Sequence, residues 1–194
     1  MNNYIQKMNN TQKILLHLAK NQNKTYSMLS LSKELSIPYA SFYRAIKSLK
    51  DIIIIEKIGQ TNVIKLNSAK EELIPLLTLA SIVERDEFLS LQSNIKIVAN
   101  TLKTKDVVLL FGSYAKGKET NKSDVDIMVI NSNGKKTISF SQTELLLKKE
   151  INPMFFTFKE LNLMLNEPTE NVGKQALNKH LIQQKHKDYL LKNA

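Results

Sequence analysis

The sequence predicts an α+β fold in which a helical connector joins two small domains. Three observations support this prediction. Residues 1–67 combine helix-spaced apolar residues with a β-branched hairpin, residues 68–102 follow helical spacing, and residues 103–194 alternate apolar strands with helices. A chain of 194 residues is long enough for two such domains. We therefore expect domain boundaries near residues 67 and 102.

The composition excludes several classes of protein. The chain has no cysteine, which rules out a disulfide framework and a cysteine-based zinc site. It has no run of about 18 apolar residues, and its polar start, Met1-Asn2-Asn3-Tyr4, is unlike a signal peptide. We therefore expect a cytoplasmic protein that does not bind a membrane.

The first domain is predicted to contain three helices and a hairpin. Apolar residues recur at helical spacing in residues 10–20, Ser27 is a candidate cap for a second helix, and Pro38 suits the first turn of a third. Residues 52–58 and 63–66 read as two strands around a turn. This order of elements resembles a winged helix.

The third predicted helix, residues 38–50, has an outer face suited to nucleic acid. The resemblance to a winged helix implies that this face binds double-stranded DNA, with Lys57 on the hairpin beside it; its residues are Tyr39, Ser41, Tyr43, Arg44 and Lys47. Residues 1–67 carry ten Lys or Arg against three acidic residues, within a chain of net charge +10. The alternative is that Tyr39 and Tyr43 are half-buried and the domain binds protein.

The connector, residues 68–102, has the pattern of two amphipathic helices and no chemistry of its own. Its apolar stripes are expected to pack on the second domain or on a second subunit. Because winged helices often read two-fold sites as dimers, a homodimer through this segment is one expectation.

The second domain carries the residues that suggest catalysis. A buried strand, residues 106–111, leads into Gly112-Ser113, and a second apolar strand carries Asp124 and Asp126. Residues two apart in a strand project from one face, so the two carboxylates are expected side by side. Such neighbours repel each other unless a cation such as magnesium lies between them.

Gly-Ser, ten residues and then Asp-x-Asp resembles the signature of the nucleotidyltransferase superfamily that includes DNA polymerase β, and above all its minimal nucleotidyltransferases. The resemblance implies a small domain with a mixed sheet flanked by helices. It implies that Asp124 and Asp126 are catalytic and hold Mg²⁺ or Mn²⁺. It also implies that Gly112 and Ser113, with Lys116 nearby, bind the triphosphate of a nucleoside triphosphate.

In that superfamily a third carboxylate faces the Asp pair from a later strand. The predicted order here is a helix at 137–150, a strand at 151–156 and a helix at 159–165. Asn152 falls where the acid is expected, and an amide has no negative charge and cannot act as a base. Glu150, two residues earlier, is the alternative third residue.

Helical spacing also predicts a helix in residues 171–194, where His180 and His186 read as ordinary surface or packing residues. Two functions remain open for the whole chain. The first is a metal-dependent transferase that moves NMP from an NTP, with ATP the first candidate, to an acceptor such as a partner toxin. The alternative is a DNA-binding regulator whose weak or inactive nucleotidyltransferase domain senses nucleotide or forms a dimer.

Overall fold

The computed structural model describes residues 7–22, 24–177 and 180–183. It confirms the α+β class, with two small sheets and flanking helices. The chain divides into two compact units, and the division falls after Glu87. Among the described residues, every helix is either too short or too polar to span a bilayer.

The first unit contains a three-stranded antiparallel sheet in the order β1-β3-β2. Its elements are α1 (Asn10–Lys20), β1 (Tyr26–Ser27), α2 (Met28–Glu34), α3 (Tyr39–Ser48), β2 (Ile53–Ile58), β3 (Thr61–Leu66) and the greater part of α4 (Leu73–Leu91). The three helices and the hairpin lie where the sequence predicts them, to within a few residues.

Local signals explain where these helices start. The Ser27 side chain accepts a hydrogen bond from the Ser30 backbone N–H, so Ser27 caps α2 as predicted. Pro38 precedes α3 as its N-cap, because a residue without a backbone N–H loses nothing there. The helices bury a common core in which Ile14, Leu31 and Phe42 are fully enclosed.

A polar cluster links α1, β1 and α2. The Nε2 atom of His17 lies 3.0 Å from the hydroxyl of Tyr26 and 3.3 Å from Oε1 of Glu34. Burial lowers the pKa of His17, and the nearby Glu34 carboxylate partly opposes that effect. The imidazole is therefore a neutral hydrogen-bonding link between three elements at neutral pH.

The second unit is built on a four-stranded mixed sheet in the order β6-β5-β4-β7. Only β5 and β6 run parallel; the other two pairs are antiparallel. Its elements are α5 (Ser93–Thr101), β4 (Val107–Leu110), α6 (Gly112–Lys116), β5 (Val125–Asn131), α7 (Ser141–Leu147), β6 (Ile151–Thr157), α8 (Phe158–Asn166), α9 (Val172–Leu177) and β7 (His180–Gln183).

Both faces of this sheet are covered. Val108, Leu110 and Ile127 pack in one core with Ile95 and Val98 of α5. Helices α8 and α9 lie against β6 and β4 and bury Leu161 and Ala176. All four residues of β4 are consequently apolar and buried, and β5 is apolar apart from Asp126 and Asn131.

Two of the predicted elements are wrong in extent or type. Of the helix predicted in residues 171–194, α9 (Val172–Leu177) is present, but His180–Gln183 forms β7 against the edge of β4; His186 lies outside the described residues. The helix predicted at 137–150 covers only Ser141–Leu147, and Lys148 takes a left-handed conformation at its end. Pairing with a distant strand outweighs helical spacing in the tail.

Candidate functional site

The backbone of Gly112 and the carboxylate of Asp126 are in close contact in the second unit. The N–H of Phe111 donates to the Asp126 carbonyl at 3.1 Å, which places the end of β4 beside β5. Gly112 has φ +70°, and a Cβ atom built there would lie 1.9 Å from Oδ2 of Asp126. Only glycine therefore fits, both by conformation and by space.

The two carboxylates differ in their surroundings. Strand β5 begins at Val125, so Asp124 lies immediately before the strand rather than within it, and its side chain is exposed. Asp126 is partly buried. Burial raises the pKa of Asp126, the charge of Asp124 raises it further, and a hydrogen bond from Asn152 opposes both. Ionised Asp126 is thus a carboxylate that a nearby cation would stabilise.

Strand β6 brings Asn152, rather than Glu150, to the carboxylate pair. In the parallel register of β5 and β6, Asp126 and Asn152 are paired, and the Asn152 side chain donates to the Asp126 carboxylate. Glu150 precedes β6 with an exposed side chain, and its carbonyl accepts the Val125 N–H at 2.9 Å. An amide therefore stands beside Asp126, and it is a neutral hydrogen-bond donor.

The short helix α6 begins at Gly112, so Ser113 directly follows the residue that contacts Asp126. Ser113 is partly buried, and its hydroxyl has no hydrogen-bond partner among the described side chains and backbone groups. Lys116 is exposed in the last turn, and Gly117 ends the helix at φ +62°. A free hydroxyl and an exposed ammonium are thus carried on the turn that contacts Asp126.

The donor set fits a hydrated divalent cation shared with a ligand. Within residues 7–22, 24–177 and 180–183, no salt bridge reaches Asp124 or Asp126, and no three His, Cys, Asp or Glu side chains form a metal-binding group. Magnesium commonly takes one or two carboxylates and completes its shell with water and phosphate oxygens. The two carboxylates of Asp124 and Asp126 suit that pattern.

Sequence reasoning missed the side chains that hold the loop before Asp124. Gln92 donates to Oε1 of Glu119 at 3.0 Å, and the ammonium of Lys149 donates to the Asn121 carbonyl at 2.8 Å. In the sequence, a lysine near a helix end that binds a loop cannot be distinguished from a solvated surface lysine. No local pattern would have singled these residues out.

A separate candidate surface lies on α3 of the first unit. The predicted outer face is exposed at Tyr39, Tyr43, Arg44 and Lys47, whereas Ser41 is partly buried; Lys57 is exposed on β2. Lys47 lies with its Nζ atom 5.2 Å from the centre of the Tyr43 ring. The guanidinium of Arg44 donates to the Ser41 hydroxyl at 3.3 Å. The face combines cations and aromatic rings, and Phe42 and Ile46 are buried opposite.

Replacing Gly112 by alanine is expected to disrupt this site. Gly117→Ala is the matched control, because Gly117 also has positive φ but no atom lies within 4 Å of the position that a Cβ would take. Each change costs about 1–2 kcal/mol of folding free energy for the left-handed conformation. Only Gly112→Ala also displaces the Asp126 carboxylate. Denaturant unfolding should therefore show a larger loss for Gly112→Ala, and equal losses would contradict the contact.

Comparison with known proteins bears on this part of the chain. Residues 93–187 match the family model described as Polymerase beta, Nucleotidyltransferase. Neither curated proteins nor solved structures gave a significant match. The matched segment begins at the first residue of α5 and contains Gly112, Asp124, Asp126 and Asn152. The match supports a nucleotidyltransferase domain at residues 93–187.

Proposed function

We propose that the chain is a nucleotidyltransferase dependent on Mg²⁺ or Mn²⁺. It would transfer NMP from a nucleoside triphosphate, with ATP the first candidate, to an acceptor hydroxyl on a partner protein. The observation that carries this proposal is the contact between the Gly112 backbone and the Asp126 carboxylate. That contact puts a glycine-serine turn and a carboxylate pair in one place, as binding of a metal-bound triphosphate requires.

Each residue of the site has a distinct task in this proposal. Asp124 and Asp126 would hold the cation through their carboxylate oxygens. Gly112 lets the backbone approach a phosphate without a side chain, and the free hydroxyl of Ser113 would donate to a triphosphate oxygen. Lys116 would balance triphosphate charge from the exposed end of α6. When bound, magnesium supplies charge neutralisation and orients in-line displacement at the α-phosphorus, with release of pyrophosphate.

Transfer of label from α-phosphate-labelled ATP tests the assignment. With Mg²⁺ and candidate acceptor proteins, the wild type should label the acceptor, and Asp124→Ala should lower the rate by at least about 100-fold because one of two metal ligands is lost. Glu170→Ala, which removes an exposed carboxylate elsewhere in the same unit, should keep the wild-type rate. Label transfer that survives Asp124→Ala would refute the site.

We propose further that the first unit is a winged helix that binds double-stranded DNA through α3. The support is the exposed cationic and aromatic face of α3, together with the surplus of Lys and Arg in residues 1–67. The opposite face of the same helix is buried in the core, which leaves this face available to a groove. Lys57 on β2 would contact a phosphate beside it.

DNA binding should depend on Arg44 and on salt. Arg44→Ala is expected to weaken duplex binding by about 1–3 kcal/mol, because a guanidinium that reaches a base edge or a phosphate is lost. Lys13→Ala removes an equal charge from an exposed position of α1 and serves as the control. Fluorescence anisotropy at several salt concentrations measures both effects. If the affinity for duplex DNA changes neither with salt concentration nor with Arg44→Ala, a protein partner for α3 is indicated instead.

A second candidate function is favoured by Asn152. Its neutral amide stands in register with Asp126, in the position where the superfamily is expected to carry an acid that orients or deprotonates the acceptor. In this alternative the chain is a DNA-binding regulator, and its nucleotidyltransferase domain senses a nucleotide or supports a dimer. Nucleotide would then change duplex affinity, and no label would be transferred.

Substitution at position 152 separates the two functions. Asn152→Asp restores an acid beside Asp126 and is expected to raise the rate of label transfer about tenfold or more if the site is catalytic. Asn162→Asp adds the same charge at an exposed position of α8 and should leave the rate unchanged. If neither wild type nor Asn152→Asp transfers label, while ATP with Mg²⁺ shifts duplex affinity, the regulator is supported and the enzyme is excluded.

A further inference from the structure

The position of Asp124 depends on the loop that precedes it. Residues 117–124 connect α6 to β5, and most of their side chains are exposed. Inside the loop, the Thr120 backbone N–H donates to the Ser123 hydroxyl at 2.9 Å, and the Ser123 N–H donates to the Thr120 carbonyl at 3.0 Å. Because Asp124 lies just outside β5, no strand pairing holds it directly.

The side chain of Lys149 reaches this loop from another element. Its ammonium donates to the carbonyl of Asn121 at 2.8 Å and to that of Ser123 at 3.5 Å. The same ammonium lies 5.8 Å from the ring centre of Tyr114, which is buried. Two carbonyls and an aromatic ring thus surround one cation, and Ser123 is the residue directly before Asp124.

The backbone of Lys149 is itself held in place. It lies between α7 and β6, where its N–H donates to the Glu144 carbonyl at 3.3 Å. Oε1 of Glu144 accepts the Ile151 N–H at 2.9 Å, at the start of β6. By contrast, Lys118 and Lys122 on the loop have exposed side chains. Lys149 is therefore a partly buried donor with defined partners, unlike the exposed lysines of the loop.

We propose that Lys149 is a positioning residue for Asp124. By joining the Asn121 and Ser123 carbonyls, its ammonium sets the course of the loop and holds Asp124 beside Asp126 before a ligand binds. The consequence for nucleotide affinity rests on the proposed function of the site, whereas the effect on the loop does not. Groups that orient a metal-binding carboxylate typically change metal affinity about 10- to 100-fold when they are lost.

Amide hydrogen exchange of the full chain without ligand tests the effect on the loop. Lys149→Met should accelerate exchange in residues 117–125 about tenfold or more, while the amides of β4 remain as protected as in the wild type. Lys149→Arg keeps a cationic donor and should restore slow exchange. Lys148→Met, at the adjacent exposed lysine, is the control. If Lys149→Met also loses protection in β4, the exchange experiment is repeated with Lys149→Gln. Unchanged loop exchange overturns the proposal.

Calorimetry with α,β-methylene-ATP and Mg²⁺ tests the consequence for binding. Lys149→Met is expected to bind this analogue about tenfold more weakly, with wild-type affinity for Lys149→Arg and Lys148→Met. Wild-type affinity in Lys149→Met overturns the positioning role. If the wild type does not bind the analogue, the proposed nucleotide function fails instead, and the exchange experiment still decides whether Lys149 holds the loop.

Discussion

The contact between Gly112 and Asp126 constrains much of the second unit. For the carboxylate to reach the glycine backbone, β4 and β5 must pair antiparallel in the register that sets Leu110 opposite Ile127. The chain must then turn into α6 immediately after Phe111, whose N–H bonds to the Asp126 carbonyl. A side chain at position 112 would break this arrangement. The buried strands on both sides supply the apolar contacts that keep the register.

The charges at this contact are not balanced by the described protein residues. Burial and the charge of Asp124 both raise the pKa of Asp126, so the ionised form of Asp126 is held at a cost in folding free energy. An unfavourable electrostatic free energy of this kind is common at ligand-binding sites, because a bound ligand can offset it. Asn152 offsets part of the cost through one hydrogen bond without adding negative charge. Under the proposed function, the site is better equipped to bind a metal-bound triphosphate than to remove a proton from an acceptor.

The local parts of the fold followed from local signals. Apolar spacing predicted α1, Ser27 predicted the start of α2, and the β-branched run predicted the hairpin of β2 and β3. The errors arose where a distant partner decides the conformation. Residues 180–183 have helical spacing but pair with β4, and Asp124 was expected within a strand that begins one residue later. Neither the partner strand nor the exact start of pairing is encoded in a short window.

The sequence by itself determined the residue types of the site and their spacing: a glycine-serine turn after an apolar strand, and two carboxylates at the head of the next. Only the tertiary structure decided which groups meet. It brought Asp126 to Gly112, set Asn152 rather than Glu150 beside that carboxylate, and placed the ammonium of Lys149 on the loop before Asp124. These contacts join segments far apart in the chain. Their geometry follows from strand register and from packing across the whole sheet, which local residue patterns do not specify.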